Sequence, residues 1–386
     1  MPLRRSLLAL TLLAAACSTG APAETVAPTT SLLPAATSTT STSTTSTSTT
    51  TSTTTTTTLP PATVGEDARA VVLAGLPGTA LDSATADLLA GGGRGIILYA
   101  KNLVDTDQVA ELTSAIACAA GAPVIVAVDQ EPGRIHRLDA IGIPAPEIGD
   151  DAATFAVTAT TMAEAMRAIG INLDLAPIVD VAQGSNPVLA GRSLGPDTDI
   201  VIERATQFIH ALKTAGVGST AKHFPGHGLS RVDPHREVTY IDAAVTTLEA
   251  EHFPPFAAAV DAGVSAVMIG HPIYSALDPD NPASLSPIVL DILRDDFGFD
   301  GVAMTDGFSM AALRKLRTLD QLTIDALVAG EDMLLVDRPE DVAQIVAAIV
   351  AAVELGELDR NRLAEAAERV RLLANSLAPV ACVESG

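Results

Sequence analysis

Gly218-Ser219-Thr220-Ala221-Lys222-His223-Phe224-Pro225-Gly226-His227-Gly228 opens as an apolar run and ends in ionisable groups. Its second half holds an ammonium, two imidazoles and two chain-bending glycines, and Asp233-Pro234-His235 soon adds a carboxylate and another imidazole. Burying so many such groups unpaired is costly, and solvated loops seldom combine them with Phe and Pro. The stretch reads as a strand whose C-terminal end opens on a concave polar site.

Seven other short apolar runs share this grammar, at 70–73, 95–99, 124–128, 171–176, 266–269, 301–305 and 333–336. Amphipathic helical patterns lie between them, as at 107–119, 155–168, 200–215, 243–262 and 318–328. Apolar strands alternating with helices mean a parallel sheet covered on its faces. About eight such units predict an α/β protein whose catalytic domain is a single (β/α)8 barrel. Polar residues close most of the runs: Lys101 and Asn102, Asp129 with Glu131, Asp180, Lys222 with His223, His271, and Asp306. Barrel enzymes gather their chemistry on that rim, one residue per strand, whereas an open doubly wound sheet concentrates it at one switch point. Gly91-Gly92-Gly93 precedes a strand instead of opening a helix after one, so it is no phosphate loop. The tail at 340–377 reads as two packing helices split by Gly356.

The N-terminal part is not fold. Arg4 and Arg5 precede an apolar run ending at Cys17, the pattern of an export signal too short to span a bilayer as a mature helix. Small residues directly before Cys17 favour a lipoprotein site, with residues 1–17 as the signal and Cys17 as the lipidated new N-terminus; simple secretion is the alternative. Residues 18–63 include an almost pure Ser/Thr tract. They read as a disordered tether with no apolar group to offset ordering, leaving 64–386 for the domain. Net charge is −23, which argues against nucleic acid and against charge-driven binding to an anionic membrane. Membrane contact is therefore expected only through the lipid anchor, with the domain outside the cytoplasm. Trp is absent, so a sugar site here cannot lean on indole stacking. Cys118 and Cys382 either form one disulfide, as exported proteins allow, or stay separate thiols. The sequence carries no signal for oligomeric state.

Several separated motifs then point one way. Lys222 through Gly228 with Asp233 and His235, Asp129-Gln130-Glu131-Pro132-Gly133-Arg134-Ile135-His136-Arg137, Gly191-Arg192-Ser193-Leu194-Gly195, and the strand from Phe299 to Met310 fall in one order. Together they resemble the signatures of bacterial β-N-acetylglucosaminidases of glycoside hydrolase family 3, the muropeptide-trimming type. The resemblance spans the chain from about 64 to 377 and implies a retaining exo-glycosidase acting on GlcNAc-containing wall fragments.

A retaining glycosidase needs a nucleophile and an acid/base on opposite sides of the anomeric carbon. Asp306 ends an apolar strand and meets Gly307, so its carboxylate suits attack and a glycosyl ester. Taken alone, the position also suits a helix N-cap. The resemblance makes Asp306 the nucleophile and His235 the acid/base, oriented by Asp233. An aspartate so placed fixes the imidazole tautomer and brings its titration near neutrality. The resemblance likewise implies that Asp129, Arg137, Arg192, Lys222 and His223 contact the sugar. A structural ion-pair web around Asp129 and Glu131 is the alternative for these cations, and for Arg134 it is the preferred one. His227 and His271 receive no catalytic role. Pro132 and Pro234 stand where the family has smaller residues. No cofactor is expected. No metal is expected either, because Phe-Pro-Gly between His223 and His227 opposes the helix that His-x3-His ligation uses. Phosphorolysis at the same site is an alternative reaction, and a wall-glycan-binding lipoprotein without catalysis is an alternative class.

Overall fold

All eight apolar runs become strands of one parallel sheet. The computed structural model describes residues 62–184, 186–232 and 237–383. The expected export signal with Cys17, nearly all of the expected tether, and Asp233, Pro234 and His235 lie outside the described residues. In chain order the strands are β1 Val72–Gly75, β2 Gly95–Leu98, β3 Ile125–Val128, β4 Leu173–Asp174, β5 Gly218–Phe224, β6 Ala266–Ile269, β7 Val302–Thr305 and β8 Leu334–Val336. Each pairs with its predecessor from β2 through β7, and β8 pairs with β1. A parallel bridge between Met304 and Met333, with Met333 N donating to Ala303 O at 3.1 Å, joins β7 to β8. The sheet thus closes into the expected (β/α)8 barrel.

Side-chain alternation along each strand splits the core in two. Leu73, Ile97, Ile125, Ala127, Leu173, Ala266, Met268, Val302, Met304 and Leu335 fill the barrel interior. Their neighbours Val72, Ile96, Leu98, Val126, Val267 and Ala303 face the surrounding helices. Both faces are buried, which is why the strands read as unbroken apolar runs. The two tail helices form as expected, at Val342–Leu355 and Arg360–Ser376, separated by Gly356 at φ +75°. Val370 and Leu373 of the second, with Leu377 just past its end, join the interior cluster and so help fill the barrel. The predicted helix at 243–262 is interrupted. A π-turn at Leu248–His252 separates a short turn from the helix Phe253–Asp261, which carries Pro254 and Pro255 in its first turn. Proline is tolerated there because those N–H groups have no partner within the helix.

Cys118 and Cys382 are joined as a disulfide with Cα atoms 4.7 Å apart, across 264 positions of sequence. It ties the C-terminal tail to the helix Thr106–Ala120. Cross-linking so long a loop removes entropy from the unfolded chain and is worth roughly 2–4 kcal/mol. The Cys118→Ala/Cys382→Ala double variant is expected to unfold at correspondingly lower urea. An unchanged midpoint would show that the tail is held by packing alone.

Candidate active site

The same alternation that builds the core aims the chemistry. Ile97, Ala127, Met304 and Leu335 point into the barrel, so the residues two further on, Tyr99, Asp129, Asp306 and Asp337, project above them at the C-terminal rim. All four line one cavity of about 320 Å3, together with Glu131, Arg134, Arg137, Arg192, Lys222, His223 and His227. Asp129, Arg137, Arg192, Lys222, His223 and Asp306 are therefore brought together. Asp233 and His235 lie outside the described residues.

Lys222 and His223 are adjacent yet both reach the cavity. The β5–β6 register shifts between Lys222 and Phe224, and such a bulge re-aims side chains. The peptide between Lys222 and His223 is cis. Phe224 turns outward instead, into a cluster with Phe253, Phe256 and Phe297.

Lys222 Nζ lies 2.8 Å from Asp129 Oδ1 and 2.7 Å from Glu131 Oε1. Arg192 forks onto Glu131, with Nε donating to Oε2 at 2.9 Å and Nη2 to Oε1 at 2.7 Å. Arg137 Nη2 stands 4.0 Å from Asp129 Oδ2. The ion-pair web weighed from sequence exists, and its members also wall the cavity. Burial raises the Glu131 pKa, but Lys222 and Arg192 outweigh it and hold the carboxyl at about 2. Burial likewise opposes the charge on Lys222, and Asp129 and Glu131 reverse that, for a net upward shift. Arg134 departs from expectation: among the described residues no ion pair joins it to Asp129 or Glu131, and it lies exposed on the cavity wall. Pro132 is accommodated in a closed turn, where Glu131 N donates to Ile135 O at 2.7 Å.

Asp306 caps no helix. The next helix, Ala311–Leu316, has Met310 at its N-cap and no side-chain cap bond. Asp306 Oδ1 instead accepts from Gly307 N at 2.7 Å. Burial pushes its pKa up, yet His223, His271, that N–H and Lys222 prevail and keep it below the ordinary value. His271 braces the turn: its Nε2 lies 3.2 Å from Gly307 O, which can only accept, so Nδ1 accepts from Ser284 Oγ at 2.7 Å. Asp337 Oδ1 accepts from Ser309 N at 3.1 Å.

Asp180 is the organising residue to which the sequence reading gave no role. Fully buried, it accepts from His223 N at 3.1 Å, His223 Nδ1 at 2.8 Å and His227 N at 2.5 Å. The carboxylate thereby fixes the His223 tautomer and leaves Nε2 for the cavity. Two close approaches keep this loop tight. A Cβ on Gly228 would come within 1.8 Å of Val181 O, and Gly226, at φ +122°, would press one to 2.8 Å from His252 Cβ. Only glycine fits either position.

His227 sits against the cavity with both ring nitrogens unpaired among the described residues. Burial drives its pKa down to about 4, against the pull of Asp180. Between about pH 6.5 and pH 4 the unfolded chain takes up a proton that folded His227 refuses, so the unfolded state binds more protons and stability falls as pH drops through this window. The contribution is fully present above the unfolded pKa, and about 3 kcal/mol is lost by the folded one. The urea midpoint of wild type is expected to fall from pH 7 to pH 4.5, and less so in His227→Asn; equal falls would contradict this account of the imidazole.

The model of the glycosyl hydrolase family 3 N-terminal domain matches residues 76–373. The chain belongs to glycosyl hydrolase family 3. This family 3 chain is 35% identical over 291 residues to a β-hexosaminidase of Xanthomonas campestris pv. campestris, covering 72% of the chain and 88% of the relative. A solved family 3 β-N-acetylglucosaminidase from a Paenibacillus species superposes with a TM-score of 0.79 at 32% identity, over 82% of this chain and 62% of that one. A β-N-acetylhexosaminidase from Beutenbergia cavernae superposes with a TM-score of 0.75 at 28% identity, over 81% and 99% of the two chains. The family 3 chain is a glycoside hydrolase.

Proposed function

We propose that this β-N-acetylhexosaminidase-type enzyme is an exo-acting, retaining β-N-acetylglucosaminidase that removes terminal GlcNAc from peptidoglycan fragments. The observation that carries the reading is the half-buried Asp306 carboxylate in a cavity walled by Asp129, Lys222, His223, Glu131 and Arg192. At about 320 Å3 the cavity is at the small end for ligand sites, which suits a single terminal sugar. Asp129 and the charged donors suit hydroxyl groups and the acetamido carbonyl. Asp306, held ionised, attacks the anomeric carbon as the bond to the leaving oxygen breaks and His235, oriented by Asp233, gives that oxygen its proton. The glycosyl ester is then cleaved by water, which loses its proton to His235, and two inversions give net retention.

The signal pattern ending at Cys17 supports export and lipid anchoring beside the wall. The Cys118–Cys382 disulfide supports an oxidising, extracytoplasmic setting. Following the anomeric configuration of released GlcNAc by NMR tests the mechanism. The β-anomer should appear first; initial α-anomer would exclude a glycosyl ester at Asp306.

A further inference from the structure

Most cations around the site are already engaged. Lys222 is shared by Asp129 and Glu131, Arg192 is forked onto Glu131, and Arg137 stands near Asp129. Arg134 lines the same cavity with no ion pair among the described residues. Its mount is firm: Arg134 N donates to Gly191 O at 2.8 Å, and Gly133 N to Pro146 O at 3.2 Å. Gly191 belongs to a second cavity, of about 710 Å3, which shares Pro187 with the first. Arg134 Cβ would lie 3.7 Å from a Cβ on Gly191, so the arginine stands where the two spaces meet. Arg231 lines the second cavity and likewise has no ion pair among the described residues.

The chain as a whole carries a net charge of −23. Its field opposes anions, and its acidic groups outnumber its basic ones two to one, 46 against 23. Two guanidiniums without an ion pair among the described residues, one in each of two cavities that share Pro187, are against that trend. A neutral sugar would need no such cations. A leaving group bearing carboxylates would be met by Arg134 where the two cavities adjoin and by Arg231 in the second, each able to give paired N–H donors to a carboxylate.

Resting on the hydrolase reading above, we propose that the second cavity seats the leaving group and that Arg134, with Arg231 beyond it, selects substrates whose leaving group carries carboxylates. Both are specificity residues; neither touches the reacting atoms.

The test compares the GlcNAc–MurNAc disaccharide with its lactyl methyl ester, which keeps the shape and removes the charge. Charge-assisted hydrogen bonds at a partly exposed site predict an acid-over-ester preference in kcat/KM of about tenfold for wild type. Arg134→Gln should bring the ratio close to one, and Arg134→Lys should recover part of it. Added salt should erode the wild-type preference. Fragments that retain a peptide stem should show the same loss in Arg231→Gln. Turnover of acid and ester at equal rates by wild type, or an undiminished ratio in Arg134→Gln, overturns the inference and leaves the hydrolase reading standing. Turnover of neither substrate removes both.

Discussion

Asp306→Asn is expected to lower kcat on an aryl β-GlcNAc substrate by at least about a thousandfold. An amide is a poor nucleophile, so the ester cannot form at a useful rate. The fold should survive, because the Asn Oδ1 can still accept from Gly307 N, as Asp306 Oδ1 does at 2.7 Å. A small stability loss is expected near neutral pH. His223, His271 and Lys222 together favour the ionised form over burial and hold its pKa below the ordinary value. That contribution is present above the unfolded pKa, disappears as pH falls through the folded one, and is absent from the variant. A kcat within tenfold of wild type, with the urea midpoint intact, would remove Asp306 from the reaction.

Lys222→Ala is expected to cost about 3–5 kcal/mol, since removing one partner leaves buried charge without its counter-ion. Lys222 is nearly inaccessible and touches both Asp129 and fully buried Glu131. Arg192 still neutralises Glu131, so the larger consequence falls on Asp129, with Arg137 at 4.0 Å as its remaining cation. A freed Asp129 should swing and raise KM. Lys222→Met keeps most of the volume and separates packing from charge: a loss close to that of alanine assigns the effect to the ammonium, and near-complete recovery assigns it to packing. Chemical denaturation and steady-state kinetics read both.

The barrel was legible because strands buried on both faces show as bare apolar runs, and each of the eight runs became a strand. Boundaries moved where local chemistry overrode hydrophobicity. The strand expected at 171–176 is reduced to Leu173–Asp174, because Asn172 gives its side chain to the backbone of Val124 and Val126 and Pro177 follows. The helix expected at 243–262 breaks at a π-turn, which hydrophobic spacing does not register. In the site, alternation could have added Tyr99 and Asp337, each two positions beyond an interior apolar residue. Asp180 was visible only as a polar strand end. Its role lies in three hydrogen bonds to a loop more than forty positions away, and no local pattern encodes that. Arg134 looked like a member of the ion-pair web because it is three residues from Glu131; the turn at Gly133, with φ +92°, sends it to the cavity mouth.

Covalent capture tests the central claim most directly. The enzyme would be incubated with a ring-fluorinated GlcNAc fluoride, which slows breakdown of the ester, then digested and mapped by mass spectrometry. A single glycosyl adduct on Asp306, formed as activity is lost and released as activity returns, is the predicted result. An adduct on another carboxylate, or steady turnover of the reagent with no enzyme-bound sugar at any time, would contradict it.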